Sequence, residues 1–303
     1  MTRIRFAFVV ACCLASSPLA AQDMEPKAYS ASPVGANFFV AGYTWSSGAV
    51  VFDPTLPVSD VHADVQAFVV GIGHTFDVFG DLALVSLAMP YATADLTGKV
   101  GEQAAAVSRS GLADARMKFS INLLGNPAMA AKDFFRLPRR TVVGASVSVQ
   151  APTGQYYDTK LVNIGNNRWG FKPEVGVSVP IRKLDLDAYV GVWLFTANDD
   201  FYPAGLQRTQ NAVTSVQAHV SYTFKPRWWL AVDSTWYSGG ESQVADGDPS
   251  SGVNNSRLGL TLSLPAGGRN SIKVAYASGI TVRTGTNFTT VAVGWQTLWM
   301  TRR

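Results

Sequence analysis

From Gly111 to Leu124 apolar and polar residues alternate: Ala113, Ala115, Met117, Phe119, Ile121 and Leu123 stand against Asp114, Arg116, Lys118, Ser120 and Asn122. Successive side chains of an extended strand point to opposite faces, whereas a helix would wind both sets around its circumference. The stretch therefore reads as a strand with one apolar and one charged face. The pattern returns at Arg140 to Ala151, where Thr141, Val143, Ala145, Val147 and Val149 oppose Gly144, Ser146, Ser148 and Gln150. Phe171 to Val179 carries Lys172 and Glu174 on its polar side, and Leu184 to Thr196 sets six alternate apolar residues against Asp185 and Asp187. Leu258, Leu260, Leu262 and Leu264 alternate with Arg257, Gly259, Thr261 and Ser263. About twelve such segments fit the chain, an even number of the kind that closed membrane barrels use.

Connections separate a membrane barrel from a soluble sandwich. Long polar links fall near Ser46 to Asp60, Asp95 to Ser110, Pro152 to Trp169, Ala197 to Gln210 and Gly239 to Asn254; tight turns fall near Asp77 to Gly80, Pro180 to Lys183, Lys225 to Arg227 and Pro265 to Asn270. Outer-membrane barrels show this asymmetry, with long loops outside and short turns in the periplasm. Asn126 to Arg139 is long for a turn and Thr284 to Asn287 short for a loop. Charged residues make up 15% of the chain, below the roughly 25% of soluble domains, which suits a molecule with a lipid-facing surface. The expected fold is all-β, a single antiparallel transmembrane β-barrel of about twelve strands, which leaves no open edge in lipid.

The barrel is expected over 34–303, after a signal peptide at 1–21 and a short periplasmic segment at 22–33. Arg3 and Arg5, an apolar run from Phe6 to Leu14, and small residues ending at Ala20-Ala21 form the three-part layout of a cleaved secretory signal. Cys12 and Cys13 both lie inside it, so the mature chain has no thiol for a disulfide or a metal. Losing Arg3 and Arg5 lowers the formal charge from +4 to +2, too little for a nucleic-acid partner. His62 and His74 lack a nearby third ligand, so no metal site and no cofactor are expected.

Charges on the lipid face are costly, so Asp114, Arg116, Lys118, Lys172, Glu174, Asp185, Asp187, Asp233, Arg257 and Lys273 are assigned to the lumen. Their signs nearly cancel, which predicts weak ion selectivity. Cross-strand pairing accounts for them structurally, a solute-selecting ring functionally. Tyr43 and Trp45, Phe76 and Phe79, Tyr222 and Phe224, Trp228 and Trp229, and Trp236 and Tyr237 cluster at strand ends, where amphipathic rings favour the bilayer interfaces. Trp169 and Phe171, with Phe201 and Tyr202, are assigned to an aromatic mouth, although the first two suit an interfacial anchor better than a mouth. The final strand, Thr289 to Trp299, is similar to the C-terminal signal read by the barrel-assembly machinery, although Met300 to Arg303 run past it.

The chain resembles a bacterial family of outer-membrane proteins associated with the meta-cleavage (MetA) pathway of phenol degradation, often called transporters. The likeness is carried by Gly111-Leu-Ala-Asp-Ala-Arg116, by Ala151-Pro-Thr-Gly154 with Tyr156, Lys160, Asn163, Gly165 and Asn167, by Trp169 to Ser178, and by Arg227-Trp-Trp-Leu-Ala-Val-Asp233. It implies passive uptake of small apolar or aromatic, phenol-like molecules across the outer membrane, with membrane lipid around the barrel. A structural or surface-interaction barrel with a plugged lumen is the alternative. A lipid hydrolase comes third, because His219 and Ser221 share a strand face but no orienting group or oxyanion site is evident; no catalytic residue is assigned.

Overall fold

The computed structural model describes residues 24–51, 58–134, 138–203 and 205–301. The expected signal peptide therefore lies outside the described residues. In chain order the elements are β1 (Ala36–Val51), β2 (Val58–Val78), β3 (Asp81–Val100), β4 (Gln103–Leu112), β5 (Arg116–Leu124), α1 (Ala131–Phe134), β6 (Val142–Gln150), β7 (Gly170–Ile181) and β8 (Leu184–Phe195). They continue with β9 (Asn198–Phe201), β10 (Leu206–Gln210), β11 (Val213–Lys225), β12 (Trp228–Gly239), β13 (Ser242–Val244), β14 (Val253–Pro265), β15 (Asn270–Thr281) and β16 (Gly285–Met300).

Neighbouring strands pair antiparallel in the order β2-β1-β16-β15-β14-β12-β11-β8-β7-β6-β5-β3-β4, and the further pairing of β2 with β3 closes the sheet. Of these thirteen strands, β4 and β5 occupy one place in the wall, so the barrel has twelve. The seam joins the first strand to the last, from Ala36↔Met300 to Val51↔Gly285. A separate three-stranded sheet of β13, β10 and β9 caps the end where the long loops gather. Both ends of the barrel chain and the short turns lie at the other, turn end.

Alternation sorts the side chains as the period-2 pattern requires. Leu258, Leu260, Val175, Val190, Val220 and Val232 are exposed on the outer surface, while Arg257, Thr261, Lys172, Glu174 and His219 are buried inside. The rule also corrects the aromatic pairs: of two consecutive strand residues only one can face lipid. Trp228 and Trp236 are exposed, whereas Trp229 and Tyr237 are buried inward.

Two expected loops are shorter than the sequence implied: β1 runs to Val51 and β2 begins at Val58, so Ser46 to Asp60 is strand at both ends. Asp95 to Ser110 is not a loop, because β3 and β4 continue as a hairpin from Tyr91↔Leu112 to Val100↔Gln103. Polar alternation on strands that overshoot the apolar band reads like a loop. The strand expected over Gly111 to Leu124 is in turn interrupted at Ala113, Asp114 and Ala115. Pro90 explains the break. Its carbonyl accepts from Ala113 N–H at 2.8 Å, and a residue's N–H and C=O point to the same neighbour, so proline withholds a donor from this strand. Among the described residues β4 then pairs with β3 alone.

Candidate functional site

Inside the barrel the two halves of the wall differ in chemistry. β5 to β8, β11, β12 and β14 turn polar residues inward, and the segment Met24–Pro33, expected in the periplasm, lies against them within the lumen. Tyr29 is its buried anchor, packed edge-on to Tyr189 with ring centroids 5.3 Å apart. Its hydroxyl lies 3.2 Å from Ser146 Oγ and donates to Glu174 at 3.5 Å, and its carbonyl accepts from Asn122 at 3.3 Å. Lys27 N–H donates to Asp187 at 3.2 Å while its ammonium pairs with Asp185, which Arg139 also holds. Ala28 N–H donates to the Tyr189 hydroxyl at 3.1 Å, and Glu25 pairs with Lys118. Lys172 meets Glu174 at 2.7 Å. Buried charges must be paired or bonded to be tolerated, and the inserted segment supplies much of that pairing.

The opposite wall is apolar on both faces. Ala63, Val65, Ala67, Ala92 and Ala94 are buried on β2 and β3, with Phe288 on β16. Ile164, from the Ala151 to Trp169 loop, packs on the Ala63, Val65, Ala94 and Phe288 cluster. Lower down, a cavity of about 820 Å³ separates the inserted segment from Phe38, Val40, Leu84 and Leu298, with Lys27, Arg227, Arg269 and Lys273 also at its edge. Alternation-based reading missed this wall because both faces of β2 and β3 are apolar. The near-unbroken run from Ala67 to Ile72 was its available signal.

At the loop end, Asp114 in the strand break is an anchor and not a free lumenal charge. Its carboxylate accepts from Gly154 N–H at 3.0 Å, Gln150 at 2.9 Å, and Asn166 through its backbone at 3.0 Å and its side chain at 2.8 Å. Gly154 and Gly165 pack backbone to backbone, so a Cβ on either would clash. Gln155 N–H donates to the Leu112 carbonyl at 2.8 Å, replacing part of the neighbour that β4 lacks. Arg116 lines a smaller cavity beside Asp114 and Lys118.

The four mouth aromatics are divided. Trp169 and Phe171 stack at 6.2 Å and are both exposed on the outer surface, as interfacial anchors would be. Phe201 is buried in the cap with Val244, against Leu161, Tyr202 and Leu206. Arg168, outside the spanning strands, is buried at 4.3 Å from the Phe195 ring. Burial, with Arg208 adding to it and Asp114 opposing, lowers its guanidinium to about 9.

His219 Nδ1 lies 2.7 Å from Asp233, whose other oxygen accepts from Thr261 at 2.6 Å. An orienting carboxylate therefore exists that the sequence did not reveal. Ser221 Oγ and His219 Nε2 are nevertheless both buried without a hydrogen-bond partner among the described residues, so the two do not form the contact a serine nucleophile needs.

Comparison with known proteins places this geometry. The profile of a family described as "Putative MetA-pathway of phenol degradation" matches residues 42–297. A crystal structure of an outer membrane channel from Pseudomonas putida F1 is similar at a TM-score of 0.77 and 19% identity, covering 91% of this chain and 100% of that one. The β domain of the Bordetella autotransporter BrkA has a TM-score of 0.51 at 9% identity, with 88% and 100% of the two chains covered. The transport unit of the autotransporter AIDA-I from Escherichia coli has a TM-score of 0.50 at 10% identity, with 96% and 97% covered. No curated protein matches the chain in sequence.

Proposed function

The chain belongs to the phenol-degradation family whose profile it matches over 42–297, and from that premise we propose that it is an outer-membrane channel for passive uptake of small apolar, aromatic molecules. The observation that carries this reading is the two-sided lumen. An aqueous pore for polar solutes would be lined with polar groups all round. Here the polar half is occupied by Met24–Pro33, and the space left over is bounded by Phe38, Val40, Leu84 and Leu298. Burying one aromatic ring on such a wall contributes roughly 1 to 3 kcal/mol, enough to concentrate a solute without trapping it. The turn end faces the periplasm and the loop end the outside. Tyr202, half-buried at the cap, is the aromatic placed to meet solute there, while Trp169 and Phe171 fix the barrel at the lipid interface. The interrupted wall beside β4 gives a solute already dissolved in lipid a second way in.

Proteoliposomes holding the mature chain should take up phenol-like solutes faster than sugars of similar size. Equal rates, or no uptake, would sink the proposal. The inserted segment favours one rival, a structural barrel with a plugged lumen. Uptake before and after removal of Met24–Pro33 separates the two readings: a channel passes phenol-like solutes with the segment in place, whereas a plugged barrel passes them only once it is removed.

A further inference from the structure

We propose that the turn-end cavity binds apolar monocarboxylates, with the carboxylate seated at Lys273 and Arg269 and the hydrocarbon body lying on Phe38, Val40, Leu84 and Leu298. The proposal rests on the uptake reading and narrows its solute class. The charge of the whole lumen nearly cancels, but its distribution does not. Lys27, Arg227, Arg269 and Lys273 line this cavity, and among the described residues no aspartate or glutamate does. The lumenal acids are engaged elsewhere: Asp185 by Lys27 and Arg139, Glu174 by Lys172, Asp233 by His219 and Thr261, and Asp114 by the long loop.

Lys273 is the strand-borne cation at this cavity. Its ammonium pairs with no carboxylate among the described residues and lies 5.7 Å from the Trp229 ring, whose other neighbour is the Lys27 ammonium at 5.8 Å. The acid whose field reaches it, Glu25, is paired to Lys118. Among the described residues Arg227 donates to the Asn270 carbonyl, at 3.2 Å, and meets no carboxylate. With Lys27 held by Asp185, the Lys273 charge beside the same ring is the one an arriving anion relieves. The wall opposite selects an anion that carries hydrocarbon over a simple inorganic one, and about 820 Å³ lies within the roughly 300 to 1,000 Å³ of small-molecule sites.

Decanoate and decanol share a tail and differ in head charge, so equilibrium dialysis of both against the purified full barrel tests the idea. Decanoate should bind about tenfold more tightly at low ionic strength, as a charge-assisted contact provides, and the preference should shrink in high salt. In Lys273→Met with Arg269→Gln the decanoate affinity should fall to that of decanol. Equal binding of the two by the unaltered barrel would overturn the proposal, as would a preference that survives both the double substitution and high salt. The salt series needs no variant and so stands if the double variant does not fold. Failure of the two ideas is distinguishable: phenol uptake without a carboxylate preference removes only the inference, and a carboxylate preference without uptake removes only the channel.

Discussion

Gly144 and Gly176 leave the space that Tyr29 fills, since a Cβ on either would overlap its ring. Gly176 faces Tyr189 as well, so a side chain there would push on both rings of the edge-on pair. Overpacking of this kind costs about 1 to 3 kcal/mol. Gly176→Val should therefore expel Tyr29, lower the temperature at which the folded barrel band is lost on gels, and raise single-channel conductance together. A destabilised barrel with unchanged conductance would show that the segment stays seated without this contact. The inward placement of Lys172, Glu174, Asp185 and Asp187 could be read from alternation alone. What they bind could not, because Lys27 and Tyr29 come from a stretch without periodicity whose partners lie 93 or more residues away in the chain.

Strand identity was legible where the two faces differ, as in β5 to β8 and β14, and blurred where they do not. β2 and β3 are apolar on both sides, one against lipid and one against the lumen, and β3 and β4 extend beyond the apolar band. The break at Ala113 to Ala115 was hidden for another reason: the alternation runs through it, and only Pro90 on the neighbouring strand interrupts the ladder. Asp114→Ala should release the loop from Ala151 to Trp169 and cost about 2 to 3 kcal/mol, the worth of hydrogen bonds to a buried charge. Limited proteolysis should then cut between Gln155 and Asn166 in the variant and spare the original. Equal resistance would place the loop's hold elsewhere, on Ile164 and its apolar contacts.

At the scale of the whole molecule, the segment that fills the polar half of the lumen is the same chain that enters β1 at Ala36, next to the seam with β16. Only Ser30 to Gly35 separate the Tyr29 anchor from that strand. A stopper on so short a leash cannot be lost by dilution. Once detached it still faces its seat at an effective concentration of about millimolar or above, and loops of this length reclose in roughly 10 to 100 ns. Opening by detachment of this segment would thus be a unimolecular, self-resetting event, set by the contacts of Lys27 and Tyr29 and indifferent to how much protein is present. A free peptide with the sequence of Met24–Pro33 should block a barrel lacking that segment only near millimolar concentration, and should have no effect on the intact chain. Micromolar block of the shortened barrel would mean that the contacts themselves, and not the leash, keep the stopper in place.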